Sequence, residues 1–314
     1  MNVLEMKNLT KKFGDFIAVD NVTLSIAEGE IFGFLGANGA GKSTAINTVA
    51  GLLRMNEGKI KVLGKDIHKN SKFAKKNIGI VPQDIAIYED LTAIENVRFF
   101  AGLYGLRGAK LNERVGEALE FVGLSDKTKS YPKAFSGGMK RRLNIACAIA
   151  HQPKLIIMDE PTVGIDPQSR NYILNSVQKL NEMGCTVIYT SHYMEEVEEI
   201  CTRIAIIDHG KIIAEGTKEQ LKAIITNTKD IWIEVKTTER LDLNQLKAIQ
   251  GVKEVQVDPE ENRIKIHSGS EVNNLNNILQ LFINSGIEIR AVEEKAPNLE
   301  TVFLTLTGRN LRDQ

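Results

Sequence analysis

The chain is poor in residues that mark unusual architectures: three cysteines, one tryptophan and seven prolines among 314 residues. Cys147, Cys185 and Cys201 are odd in number and lack CxxC spacing. That excludes a disulfide-stapled scaffold, argues against a zinc site, and fits reduced thiols in a cytosolic protein. Net charge is also missing. Forty basic side chains balance forty acidic ones, so there is no basic footprint and nucleic acid is not expected as a partner. No apolar run approaches the roughly 18–20 residues needed to cross a bilayer. The longest uncharged stretches, Ile31 to Gly41 and Leu143 to Pro153, are broken by Asn, Gly, His or Pro. The N-terminus shows no apolar core of a signal peptide before charges interrupt it. What remains, 42% hydrophobic and 25% charged, is ordinary for a folded chain of two or three domains.

Four short apolar runs read as buried strands: Glu30–Gly36, Leu155–Met158, Cys185–Tyr189 and Arg203–Ile207. Helical patterns separate them, as in Tyr172, Leu174, Val177 and Leu180. Continuous apolar strands alternating with helices predict a parallel sheet covered on both faces. Val3–Lys7 and Val22–Ile26 alternate polar and apolar residues, which suits an antiparallel β flank. Over about 88–152 the pattern turns helical, a subdomain inserted into the α/β core, and the whole first domain is expected over 1–225. A capping-box pattern, Thr217-Lys-Glu-Gln, opens its last helix.

A polar segment at 226–230 reads as a linker before a second domain over 231–314. There Ile231/Ile233/Val235, Val255/Val257, Ile264/Ile266 and Ile287/Ile289 alternate as four strands, with a turn at Pro259–Asn262. Helices at about 244–250 and 273–285 complete the order βαββαβ, a small ferredoxin-like α+β domain. After Pro297, Asn298 caps a short last helix that Gly308 stops.

The chemistry concentrates in the first domain. Gly36-Ala-Asn-Gly-Ala-Gly-Lys42-Ser43 fits G-x-x-x-x-G-K-[ST], directly after a strand and opening a helix. Glycines at that spacing let backbone amides form a nest for phosphates at the positive end of the helix. Lys42 neutralises the terminal phosphates and the Ser43 hydroxyl suits Mg²⁺. Asp159 and Glu160 follow an apolar strand, at the end where open α/β sheets bind ligands. Adjacent carboxylates need different tasks: Asp159 suits a hold on Mg²⁺, and Glu160 suits polarising an attacking water.

Five elements in order then carry a family resemblance: the phosphate loop, Gln83 in Val-Pro-Gln-Asp, Phe135-Ser-Gly-Gly-Met139, the Pro161–Asp166 segment and His192 in Thr-Ser-His. Over about residues 2–220 the chain resembles the ATP-binding-cassette (ABC) ATPases. The resemblance implies a P-loop NTPase fold, ATP and Mg²⁺ as cofactors, and ATP hydrolysis. It implies nucleotide contacts from Phe13, Gly36, Asn38, Gly39, Ala40, Gly41, Lys42, Ser43, Thr44 and Asp166, with Phe13 stacking on adenine. It gives Gln83 a Mg²⁺ contact and a link to a membrane partner, and His192 the γ-phosphate and the orientation of water. Ser136, Gly137 and Gly138 would complete the nucleotide pocket of an opposing subunit, so a head-to-tail homodimer is implied. A separate transmembrane permease would carry the transport path, with this subunit on the inner face of the cell membrane. Phe135 stands where the family has leucine and Met139 where it has glutamine. Met-Lys-Arg-Arg after Ser-Gly-Gly, and the closing segment Pro297–Gly308, resemble the drug- and antibiotic-resistance exporters of daunorubicin and bacitracin type. Cargo of drug, antibiotic or lipid-like character follows from that branch. A non-transport ABC ATPase acting on ribosome or DNA is the alternative.

Overall fold

The computed structural model describes residues 1–224, 229–238, 241–259, 261–269, 272–295 and 298–308. It divides into two units between Thr217 and Lys218. The first begins with β1 (Asn2–Phe13) and β2 (Phe16–Ala27), then β3 (Ile31–Leu35), α1 (Lys42–Val49), β4 (Glu57–Val62), β5 (Lys65–Asp66), α2 (Ser71–Asn77) and β6 (Ile78–Val81). Three helices follow, α3 (Ala93–Leu103), α4 (Gly108–Phe121) and α5 (Gly137–Ile149). The chain then returns to the core as β7 (Leu155–Asp159), α6 (Pro167–Glu182), β8 (Thr186–Ser191), α7 (Met194–Ile200), β9 (Arg203–Asp208) and β10 (Lys211–Gly216).

Two sheets result. The strands expected from apolar runs form one of order β10-β9-β3-β8-β7-β6, parallel except for β10. Every residue of β3, β7 and β8 is buried, as a sheet covered on both faces requires. The alternating strands form the antiparallel sheet β2-β1-β4-β5, half-buried by the same pattern. One core joins both sheets to α1: Leu4, Met6 and Leu24 meet Ala45, Ile46 and Val49, which meet Phe32 and Phe34. The start of α1 is thereby fixed against two sheets.

The second unit holds α8 (Lys218–Ala223), β11 (Lys229–Val235), α9 (Leu243–Ala248), β12 (Val252–Asp258), β13 (Arg263–Ser268), α10 (Leu275–Asn284), β14 (Ile289–Lys295) and α11 (Leu299–Thr307). Its sheet is antiparallel with order β12-β13-β11-β14, the ferredoxin-like arrangement of βαββαβ. Ile231, Ile233, Ile264 and Ile266 pack against Leu246, Ile278 and Phe282 of the helices. Asn298 caps α11 through the Thr301 amide, and Gly308 ends it in the left-handed region.

Helix α8, read from sequence as the end of the first domain, groups with the second unit because it packs on α11. Lys229 and Asp230, read as linker, belong to β11, where they pair with Ser268 and His267. The rest of that segment, 226–228, lies outside the described residues, as do Glu260 of the 259–262 turn and Pro297.

Candidate nucleotide site

The phosphate loop is shaped by close backbone approaches. Gly41 has φ 106°, and a Cβ there would lie 2.4 Å from the Ala18 carbonyl oxygen. A Cβ on Gly36 would lie 2.5 Å from the Ile207 carbonyl oxygen. Neither position has room for a side chain, and Gly41 alone tolerates the turn that aims the first amides of α1 into the loop. Above them is a cavity of about 330 Å³. Asn38, Gly39, Gly41, Lys42, Ser43 and Thr44 line its floor, with Gln83 and Glu160 on one side and Phe13, Phe16 and Ala18 on another. Gly36 and Ala40 are buried and do not line it; the Ala40 carbonyl accepts the Gly210 amide.

Phe13 is no core residue. It is 49% exposed and Phe16 is 65% exposed. The two are paired across a two-residue turn, with the Lys11 ammonium 4.7 Å from the Phe13 ring centre. Sequence reasoning missed Phe16, although two aromatics flanking Gly14-Asp15 are the sign of a hairpin whose strand ends face each other.

Lys42 is 5% exposed. Its ammonium donates to the Gly36 carbonyl at 2.7 Å and the Ala37 carbonyl at 3.2 Å, and stands 3.4 Å from a Glu160 oxygen. Burial pushes its pKa down and the charges of Glu160 and Asp159 pull it back only in part. A buried ammonium at the floor of this cavity is chemically suited to a polyanion.

Glu160 is the meeting point of the site. It is held at φ 46°, a left-handed conformation rare for a residue with a side chain. Its amide donates to the Thr190 hydroxyl at 2.9 Å, and that hydroxyl donates to Asp159 at 2.7 Å. One Glu160 oxygen lies 3.2 Å from His192 Nδ1 and accepts the Gln83 amide at 3.5 Å. The hydrogen bond with His192 lowers its pKa first of all; burial opposes this, and Lys42 adds to the lowering. An ionised carboxylate at this place can take a proton from water. Thr190 was not among the expected site residues; it stands two positions before His192 and ties the two carboxylates to the neighbouring strand.

The other expected residues stand apart. The Ser136 hydroxyl caps α5, accepting the Met139 amide at 3.3 Å, and Gly137 is exposed beside it. Gly138 packs so tightly on α6 that a Cβ would meet the Ser169 hydroxyl at 2.1 Å. Asp166 caps α6 through the Ser169 amide at 2.9 Å. None of Ser136, Gly137, Gly138 or Asp166 lines the phosphate-loop cavity. The expected site residues thus fall into two groups, one lining the cavity and one at the starts of α5 and α6.

A family model described as "ABC transporter" matches residues 19–163. The linearmycin resistance ATP-binding protein LnrL of Bacillus subtilis is 46% identical over 99% of this chain and 100% of its own length. The daunorubicin resistance ATP-binding protein DrrA3 of Streptomyces coeruleorubidus is 34% identical over 96% of this chain and 95% of its own. Among solved structures, a dimeric ATP-binding cassette in a post-hydrolysis state with ADP and phosphate superposes with a TM-score of 0.62. It is 30% identical and covers 68% of this chain and 98% of its own. The chain belongs to the ABC transporter family, as an ATP-binding subunit. It is an ATPase.

Proposed function

We propose that this subunit works as a head-to-tail homodimer, closing two ATP molecules between phosphate loop and Ser136–Gly138 of opposite chains, to power export through a separate permease. The observation that carries the reading is the separation of the two anion-binding groups: Ser136–Gly138 and Asp166 take no part in lining the cavity that Lys42 and Glu160 serve. The relative solved as a dimer with ADP and phosphate supports it.

In this reading Phe13 stacks on the base while the loop amides and Lys42 hold the phosphates. Glu160 accepts the proton of a water whose oxygen attacks the γ-phosphorus. The bond to the bridging oxygen breaks and ADP and phosphate leave. His192 and Gln83 hold Glu160 in place and orient the water. Ser43, Gln83 and Asp159 offer a hydroxyl, an amide oxygen and a carboxylate, an all-oxygen set that fits Mg²⁺. Gln83 spends its amide nitrogen on Glu160, which leaves its oxygen for the cation. Mg²⁺ bound there would neutralise phosphate charge.

No helix among the described residues is long and apolar enough to cross a membrane, so the permease is a separate chain in this reading, with the subunit on its cytosolic side. An aromatic patch gives such a partner a surface. Tyr88 and Phe99 are 50% and 41% exposed and meet edge to face at 5.1 Å, with Phe100 against both. Buried Asn96 holds that loop rigid by bonding the backbone of Tyr88, Leu91 and Thr92. The relatives named for linearmycin and daunorubicin resistance support a drug, antibiotic or lipid-like cargo.

The decisive variant is Glu160→Gln. It is expected to lower turnover by about 10²–10⁴-fold, as loss of a general base does, while ATP binding persists and a closed dimer accumulates. Sedimentation of the ATP-loaded variant reads this directly, and a purely monomeric species would overturn the paired-site reading.

A further inference from the structure

Three basic residues follow Met139, and they have different fates. Lys140 pairs with Glu89 at the surface, and Arg142 donates to the Val122 carbonyl and lies over the Tyr172 ring. Arg141 turns inward and is 3% exposed. Its guanidinium donates to the Pro82 carbonyl at 2.6 Å and to the Gln83 carbonyl at 2.5 Å, while its Nε is buried with no hydrogen-bond partner. A buried charge is costly unless it is well compensated. Here the compensation is two consecutive backbone carbonyls, with Asp84 adding its charge. A rigid fork of charged donors bonds roughly twice as strongly as neutral groups and fixes direction as well as distance.

The fork joins two places that matter. Pro82 and Gln83 follow β6, and the Gln83 side chain reaches Glu160. Arg141 rides on α5, whose first turn is capped by Ser136 and opens to solvent. A displacement of that helix end is therefore carried by one guanidinium to the backbone that sets Gln83. Resting on the paired-site reading, we infer that Arg141 is a positioning residue that couples the two nucleotide sites, relaying the partner's phosphate at Ser136–Gly138 to Gln83 and Glu160 of its own chain.

The test uses the full chain. Arg141→Met keeps length and apolar contact but removes both donors; Arg141→Lys keeps one donor within reach. At dilutions where the protein is monomeric, R141M is expected to bind a fluorescent ATP analogue as the parent does, with Tm lowered by only a few degrees. In the E160Q background, its ATP-driven dimerisation should weaken about tenfold, a coupling of the ordinary allosteric size. With Glu160 intact, kcat should fall further than KM rises, the Hill coefficient for ATP should approach one, and R141K should recover part of both. Parent-like dimerisation and turnover in R141M would overturn the coupling. So would losses of Tm and analogue affinity that account for the lost activity, since those mark a purely structural arginine. If E160Q with Arg141 intact never dimerises, the paired-site reading falls and the coupling with it. If E160Q closes and E160Q/R141M closes equally well, the coupling alone falls.

Discussion

The two units treat charge in opposite ways. The first buries Lys42, Arg141, Asp159, Glu160 and Glu196, each below a tenth exposed, and two of them, Lys42 and Glu160, line the phosphate-loop cavity. Glu196 is fully enclosed, accepting from the Tyr189 and Ser191 hydroxyls and paired with Arg170. The core of the second unit is apolar, and charged and polar side chains pair across its sheet, as where Asp230 meets both Lys265 and His267. Among its described residues the buried polar groups are few: Ser268, Asn274 and a Lys229 paired with Glu294. Burying charge lowers stability and is tolerated where a reacting anion needs it. A unit that buries a single, paired charge among its described residues is built to hold a shape.

Breaking the second unit should therefore leave the first one working. Phe282→Ala empties a fully buried aromatic site and is expected to cost about 3–5 kcal/mol. Calorimetry should show the second unit's transition lowered or lost while ATP turnover remains. Turnover that vanishes with it would mean that the units depend on each other energetically.

An intermediate effect is expected in the first unit, from pH. His151 stacks on Tyr104 at 3.5 Å with Nε2 against the Ile78 carbonyl, and its Nδ1 is buried with no partner. Burial lowers its pKa from 6.5 to about 4. The folded state thus prefers the neutral ring, and between those two values the unfolded chain holds more protons. Stability is full above pH 6.5, falls as pH drops toward 4 and is flat below, a loss on the order of 3 kcal/mol. Denaturant titrations across that window should show the slope in the parent and not in His151→Phe. A slope that survives the substitution would assign it to other groups.

The smallest effect sharpens the contrast from the other side. Asn274 donates to the Gln250 carbonyl and the Ser268 hydroxyl, but its own oxygen is buried with no partner. Asn274→Ala should cost only about 1–2 kcal/mol, because the bonds lost are partly offset by removing an unsatisfied oxygen. A cost well above this, read from chemical denaturation, would show that the second unit leans on polar groups as the first does.

Much of this was legible from spacing alone. Residue types with one physical use, such as glycines before a lysine or carboxylates at an apolar strand end, placed Lys42, Asp159 and Glu160 correctly on their elements. Alternation alone predicted the second sheet, because half-buried strands must alternate. What escaped depends on contacts distant in sequence. Phe16 joins the site through pairing with Phe13 across a hairpin. Three adjacent basic residues look alike in sequence, and only the backbone at Pro82–Gln83 decides that Arg141 goes inside. The place of α8 was hidden because its partner α11 lies about eighty residues further on. No pattern of residue types signals the φ of Glu160, which arises where its strand turns beneath Thr190.

The ammonium of Lys42 is engaged by Gly36, Ala37 and Glu160 of its own chain. On the proposed reading, a triphosphate exchanges those partners for its own oxygens, so affinity measures a difference between two sets of bonds. The exchange would have a chemical by-product: drawing the lysine toward phosphate frees a Glu160 oxygen from its cation. On the proposed reading, phosphate binding and release of the base are one event.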